Sequence, residues 1–257
     1  MRISNLFLLF FITIATIGCA KPTTLERHQQ GYESEIIRQN EILIIPPVAD
    51  VNTVGAFGSK EKMYDYEFNL EDLIQKQMVP AIEAKGYKAQ LLNKRTIAEQ
   101  HLNNIVMPLR DEYALVSKEL YTPAALEEEK AFSINQNLGK FAIELGEKTH
   151  SDLILITDYS GAIKTNGART ADFIGAMLTG RSDALQNSDA STMLIAIIDA
   201  KNGNLLWSNM GHSVLGIFDG TQTDTDDVKR IEGMIKNILE PLQARNMPIK
   251  PKNPPAK

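Results

Sequence analysis

The clearest strand signal in the sequence is Asp152-Leu-Ile-Leu-Ile-Thr157. A continuous apolar run of this length, rich in branched residues and bounded by polar ones, is typical of a buried β-strand. A second run, Glu41-Ile-Leu-Ile-Ile-Pro-Pro47, has the same character and ends at two prolines, which cannot donate to a neighbouring strand. Both runs predict buried strands of one sheet.

Helical periodicity follows the first of these strands. Apolar residues at helical spacing predict a helix from Phe68 to Ile82, with a kink at Pro80 and an end at Gly86. The sequence from Tyr87 to Leu92 then predicts a strand, and Arg95 to Val106 predicts a second helix. The first half of the chain therefore reads strand, helix, strand, helix.

The second half contains further helices and a hairpin. Thr122 opens one helix as its cap, and Ser133 with Gln136 forms a capping box for another. A final amphipathic helix covers 228–239 and stops before Pro241.

Two further strands, Thr192 to Asp199 and Leu205 to Ser208, are joined through Asn202-Gly203, the preferred chemistry of a tight turn. The order of elements predicts an α/β fold: a single-domain sandwich over residues 41–243, with a mixed β-sheet, helices packed on it and a late β-hairpin.

The first 18 residues have the pattern of a secretory signal. Arg2 supplies a positive charge, and Leu6 to Ile17 form an apolar run that is too short to span a bilayer as a helix. The run leads into Thr16-Ile-Gly-Cys19, which contains the only cysteine of the 257 residues. One cysteine excludes an internal disulfide and any zinc site built from cysteines.

This segment resembles the lipobox of bacterial lipoproteins, in which the cysteine is acylated and becomes the first residue after cleavage. The family usually has leucine where this chain has Thr16. The resemblance implies that Cys19 carries acyl chains that hold the protein in lipid, and Ala20 favours the outer membrane over inner-membrane retention. We therefore expect an outer-membrane lipoprotein that faces the periplasm. The alternatives are a plain secretory signal or a buried structural cysteine.

The two ends of the mature chain are polar. Residues 19–40 have few apolar anchors and are interpreted as a tether, whose 22 residues would reach about 75 Å at full extension. Residues 244–257 contain four prolines and are interpreted as an extended tail.

Charge and histidine spacing bear on the possible ligands. The chain has 27 Lys and Arg against 32 Asp and Glu, a net charge of −5, which argues against a nucleic-acid partner. None of the four histidines, His28, His101, His150 and His212, has a neighbour at metal-ligand spacing. We therefore expect neither a metal nor a cofactor.

Two stretches imitate catalytic motifs without completing them. Residues 175–182 have the spacing of a P-loop, but Arg181 stands in place of the lysine. Residues 211–216 imitate a nucleophile elbow but have one residue too many. The sequence predicts a protein that is not an enzyme.

Residues 164–188 form a long insertion between two predicted strands. It is rich in small polar residues and contains the apolar patch Phe173-Ile-Gly-Ala-Met-Leu178. One interpretation is a short helix packed in the core. The other is a contact surface in which Phe173, Met177 and Leu178 anchor a partner protein or a second copy of the chain.

Two motifs carry a family resemblance: Ile42-Leu-Ile-Ile-Pro-Pro47, and Ser151 to Thr157 with the later Ile198-Asp-Ala-Lys-Asn-Gly203-Asn-Leu-Leu-Trp207. Together they resemble envelope lipoproteins related to the curli secretion lipoprotein and the TolB amino-terminal domain. The resemblance implies non-catalytic work in assembly, secretion or scaffolding through protein–protein contacts, with an envelope protein or further copies as partner. The alternative is a module that binds a small solute or a peptidoglycan fragment, and a hydrolase comes third.

Overall fold

The computed structural model describes residues 24–56, 58–122, 134–165, 167, 190–213 and 225–248. The described strands are β1 (Thr24–His28), β2 (Glu41–Ile44), β3 (Val48–Val54), β4 (Lys60–Lys62), β5 (Lys88–Leu91), β6 (Leu153–Lys164), β7 (Ala190–Asp199) and β8 (Leu205–Ser213). The described helices are α1 (Tyr32–Ile36), α2 (Tyr64–Glu83), α3 (Lys94–Glu99), α4 (Asn103–Leu120), α5 (Gly139–Thr149) and α6 (Thr225–Leu239).

The strands form one mixed sheet in the order β1-β8-β7-β6-β2-β5. The central strand β6 pairs antiparallel with β7 along one side. Along its other side it pairs in parallel with β2 and then with β3, which carries β4. The predicted fold class, a mixed sheet with packed helices, is confirmed.

β6 sends alternating side chains into two separate cores. Leu153 and Leu155 join the core formed with α1, α2 and α6. Ile154 and Ile156 join the core formed with α3, α4 and α5. All four side chains are fully buried, as the sequence of this strand predicts. Helices therefore cover both faces of the sheet around β6.

The late hairpin and the last helix are confirmed. β7 and β8 pair antiparallel, and Gly203 in their connection has φ +77°, a conformation that favours glycine. A β-carbon at this position would lie 2.8 Å from the carbonyl oxygen of Gly139. The turn therefore requires glycine both for its backbone angle and for the close approach of α5.

The predicted helix 95–106 is wrong in its extent, because two helices occupy this region. α3 ends at Glu99, and His101 adopts a left-handed conformation with φ 54° before α4 runs on to Leu120. The side chain of Asn93 caps α3 by accepting a hydrogen bond of 2.8 Å from the Thr96 N–H group.

The helix predicted to start at the Ser133 capping box begins later, at Gly139. The side-chain oxygen of Asn137 accepts a hydrogen bond of 2.7 Å from the Gly139 N–H group at the start of this helix. Ser133 itself, and the helix predicted to open after Thr122, lie outside the described residues.

The tether predicted over 19–40 is wrong for residues 24–40. β1 pairs antiparallel with β8 over its whole length, from Thr24 opposite Gly211 to His28 opposite Trp207. α1 follows directly and buries Tyr32 and Ile36 in the first core. These residues belong to the fold because β1 is the edge strand of the sheet and pairs with β8, which is distant in sequence.

At the other end, part of the predicted tail also contacts the fold. The Arg245 N–H group donates to the carbonyl oxygen of Lys85 at 2.9 Å. Residues 249–257 lie outside the described residues.

The substitution Ile36→Ala tests whether α1 belongs to the fold. Truncating this fully buried side chain should lower the free energy of unfolding by about 2–5 kcal/mol, measured by urea denaturation. Ser34→Ala, on the exposed side of the same helix, should change it by less than about 0.5 kcal/mol. Equal and negligible effects of both substitutions would mean that this segment is a tether after all.

Candidate functional site

The residues singled out from the sequence, Cys19, Phe173, Met177 and Leu178, lie outside the described residues. The structure does locate the points from which the chain departs toward them. Ala190 at the start of β7 pairs with Ala162 near the end of β6, and Thr24 lies at the matching end of β1. The chain therefore leaves the described fold toward Cys19 and toward 173–178 at the same end of the sheet.

Within the described residues, a cleft of about 290 Å³ opens where β2 and β5 end. These strands are neighbours and run in parallel, so their carboxyl ends meet at one edge, the usual position of ligand sites in α/β sheets. The cleft is lined by Pro46, Pro47, Phe68, Glu71, Asp72, Gln75, Asn93, Lys94 and Arg95.

The two prolines form one wall because they interrupt the pairing along β6. Ile44 pairs with Leu155, and Val48 pairs with Asp158. Four residue steps from β2 to β3 therefore lie opposite three residue steps of β6. The extra residue pushes the Pro46–Pro47 pair out of the ladder. Since proline has no N–H group to leave unpaired, this is a position where it is tolerated.

An arginine from α4 holds this break in place. One guanidinium nitrogen of Arg110 donates to Asp158 at 2.8 Å, and the other amino group donates to the carbonyl oxygen of Pro46. The side chain of Arg110 is 11% exposed and that of Asp158 is 29% exposed. Burial raises the pKa of Asp158, although the charge and the hydrogen bond of Arg110 lower it.

Side chains of α2 fix the floor of the cleft. The amide nitrogen of Gln75 donates to the carbonyl oxygens of Leu92 and Ile44, at 3.2 and 3.4 Å, and so ties the ends of both strands together. Glu71 accepts from the Ala49 N–H group at 3.1 Å and pairs with Lys94 through its other oxygen. The polar groups of the floor are therefore held in position before any ligand arrives.

The rim of the cleft presents an aromatic ring to solvent. Phe68 is 62% exposed, and the ammonium group of Lys94 lies 5.0 Å from the centre of its ring. The sequence prediction placed Phe68 on the buried stripe of α2. That placement is wrong because Leu70 and Ile74 face the core, and Phe68 is about 200° around the helix from Leu70.

The cleft therefore combines apolar surfaces with fixed polar groups. The ring of Phe68 and the two prolines can pack against apolar parts of a ligand, while amide, carboxylate and basic side chains surround them. The charged lining residues balance, with Glu71 and Asp72 opposite Lys94 and Arg95. Sequence reasoning missed this site, and its one visible signal was a phenylalanine between polar neighbours.

None of the described helices is both long enough and apolar enough to cross a bilayer. In the same residues, no three side chains of His, Cys, Asp or Glu are grouped so that they could hold a metal ion.

No protein-family model and no curated protein sequence matches the chain. Among solved structures, it is similar to the PelC dodecamer from Paraburkholderia phytofirmans, with 11% identity and a TM-score of 0.40 over 87% of this chain and 98% of that chain. It is also similar to the lipoprotein GNA1162 from Neisseria meningitidis, with 11% identity and a TM-score of 0.33 over 79% of this chain and 97% of that chain. At these TM-scores neither likeness supports an inference about what this chain does.

The substitution Arg110→Met tests the clamp on the proline break. Leaving the Asp158 carboxylate without its partner should lower the free energy of unfolding by about 2–3 kcal/mol at pH 7, below the 3–5 typical of fully buried pairs because Asp158 is partly exposed. Arg95→Met, which removes an exposed pair with Glu99, should cost less than about 1 kcal/mol.

The pH dependence of this loss follows from the raised pKa of Asp158. A carboxyl group whose pKa is higher in the folded than in the unfolded protein favours folding at low pH, and this contribution is lost as the pH rises through the folded pKa. Removing Arg110 raises that pKa further. The loss in Arg110→Met should therefore be largest at neutral pH and shrink as the pH falls toward about 4. A loss that is the same at both pH values would contradict the assignment.

Proposed function

We propose that this protein is a lipid-anchored accessory protein of the bacterial cell envelope, which acts without catalysis through contacts with a partner protein or with further copies of itself. Its expected place is the periplasmic side of the outer membrane. The observation that carries the proposal is the position of Cys19 behind a signal-like segment and immediately before a folded domain.

The anchor is supported by the resemblance of Thr16-Ile-Gly-Cys19 to a lipobox. A single acyl chain gives only marginal membrane affinity, whereas two or more hold a protein stably, as in mature bacterial lipoproteins. The described part of the chain supplies a domain with a hydrophobic core on each face of its sheet.

Replacing Cys19 by alanine tests the anchor. Cys19→Ala should move the protein from the membrane fraction to the soluble fraction of lysed cells, because no acyl chain can be attached. Thr16→Leu, which introduces the residue more common in the family, should leave the protein in the membrane fraction. Retention of Cys19→Ala in the membrane would overturn the proposal.

The cleft beside Pro46 and Pro47 favours a second candidate function, the binding of a small solute or a peptidoglycan fragment. Its fixed polar groups and exposed aromatic ring are the features expected of such a site. This function is compatible with a lipid anchor. It differs from the first proposal because the partner is a small molecule or a peptidoglycan fragment and not a protein.

Titration calorimetry with soluble peptidoglycan fragments tests this second candidate. Phe68→Ala should weaken binding by about tenfold, equivalent to about 1.4 kcal/mol, because the ring forms the rim of the cleft. Tyr64→Ala is the matched control, since Tyr64 lies on the same helix, is 71% exposed and does not line the cleft. Absence of binding to the unaltered protein, or equal losses in both variants, would remove this candidate.

A further inference from the structure

The start of the described chain is fixed to the sheet by specific contacts. β1 pairs with β8 from Thr24 to His28. The indole N–H group of Trp207, a fully buried residue of β8, donates to the side chain of Glu26 at 2.8 Å. The Gln29 N–H group then donates to the carbonyl oxygen of Leu206 at 2.8 Å.

The residues that follow β1 are also packed into the fold. Tyr32 and Ile36 are buried in the first core together with residues of α2 and α6. Releasing the chain between Thr24 and Ile36 would therefore expose two large apolar side chains and break the pairing with β8. This part of the chain cannot serve as a spacer while the protein is folded.

The connection that remains between Cys19 and the fold is short. Five steps along the chain separate Cys19 from Thr24, and they span at most about 18 Å at full extension. This limit holds for every conformation of the intervening residues. A free tether over 19–40 would instead have allowed about 75 Å.

We infer that this short connection holds one end of the sheet against the leaflet that carries the acyl chains, so that the lipid headgroups are a contact surface of the domain. The inference rests on the proposed acylation of Cys19. The membrane-facing end is the one around the Thr24–Gly211 pair, where β1 begins and β8 approaches its end.

The side chains beside this pair suit a polar headgroup layer. In the next row of the sheet, Ser160 of β6 lies opposite Thr192 of β7, which lies opposite His212 of β8. Ser160 is exposed, and the hydroxyl group of Thr192 lies 2.9 Å from Nδ1 of His212. These groups can exchange hydrogen bonds with phosphate and glycerol oxygens, and nothing in the row requires insertion among acyl chains.

The opposite end of the sheet points away from this surface. The turn that contains Lys201 follows β7, and the length of β7 separates it from Thr192 by about 25 Å. The chain also departs toward 173–178 from the membrane-facing end, because it leaves after β6 and returns at Ala190. The described residues on either side of the predicted partner contact therefore lie at this end of the sheet.

Energy transfer in vesicles tests the orientation. The acylated full chain is reconstituted into phosphatidylethanolamine and phosphatidylglycerol vesicles that contain an acceptor-labelled lipid. A donor dye is attached through Ser160→Cys in one preparation and through Lys201→Cys in another. Because acylation consumes the thiol of the only natural cysteine, the introduced thiol is labelled selectively.

The donor at position 160 should transfer more efficiently than the donor at position 201, because the length of β7 places it about 25 Å nearer the labelled leaflet. Inserting about 20 Gly and Ser residues between Ala20 and Lys21 should lower transfer from position 160 and remove most of the difference, since such a linker adds about 25 Å of reach.

The inference would be overturned by equal transfer from both positions that the insertion does not change. This conclusion applies when the protein needs Cys19 to sediment with vesicles. If the protein sediments without Cys19, or never sediments, the proposed anchor itself fails.

Discussion

Strand β6 is buried on both faces, so apolar side chains must cover it from above and from below. Leu153, Ile154, Leu155 and Ile156 are fully removed from solvent, and each contributes about 1.5–3 kcal/mol by leaving water. A strand that is apolar on both sides requires a layer of helices above and below, and the chain supplies α2 with α6 on one side and α4 with α5 on the other. The cleft lies where β2, a neighbour of β6, ends beside β5.

The parallel pairing along one side of β6 is interrupted at one point. The parallel partner of β6 changes from β2 to β3 at the two prolines, and Arg110 reaches from α4 to hold the break through Pro46 and Asp158. The same break opens the cleft beside Phe68. Pro46, which accepts the hydrogen bond of Arg110, therefore belongs both to the break and to the candidate ligand site.

Local patterns explain which elements were predictable from the sequence. The strands at 41–47 and 152–157, the hairpin and the last helix have strong periodicity or a diagnostic turn, and the structure contains all of them. β1 was missed because Thr-Leu-Glu-Arg-His has no apolar alternation, and its pairing partner β8 lies about 180 residues further along the chain. The cleft was missed because Phe68 and Asn93 converge only through the parallel pairing of β2 with β5. The predicted contact at Phe173, Met177 and Leu178 stays a prediction.

Thr24, five residues after the cysteine proposed to carry the anchor, already belongs to a strand of the sheet. Hydrogen exchange of the acylated full chain, read by mass spectrometry on peptides covering 24–37, tests it most directly. We expect protection of this segment, including the Gln29 amide that donates to Leu206, to be comparable with that of β8. Exchange of the whole segment at the rate of an unfolded chain, while β7 and β8 stay protected, would contradict it.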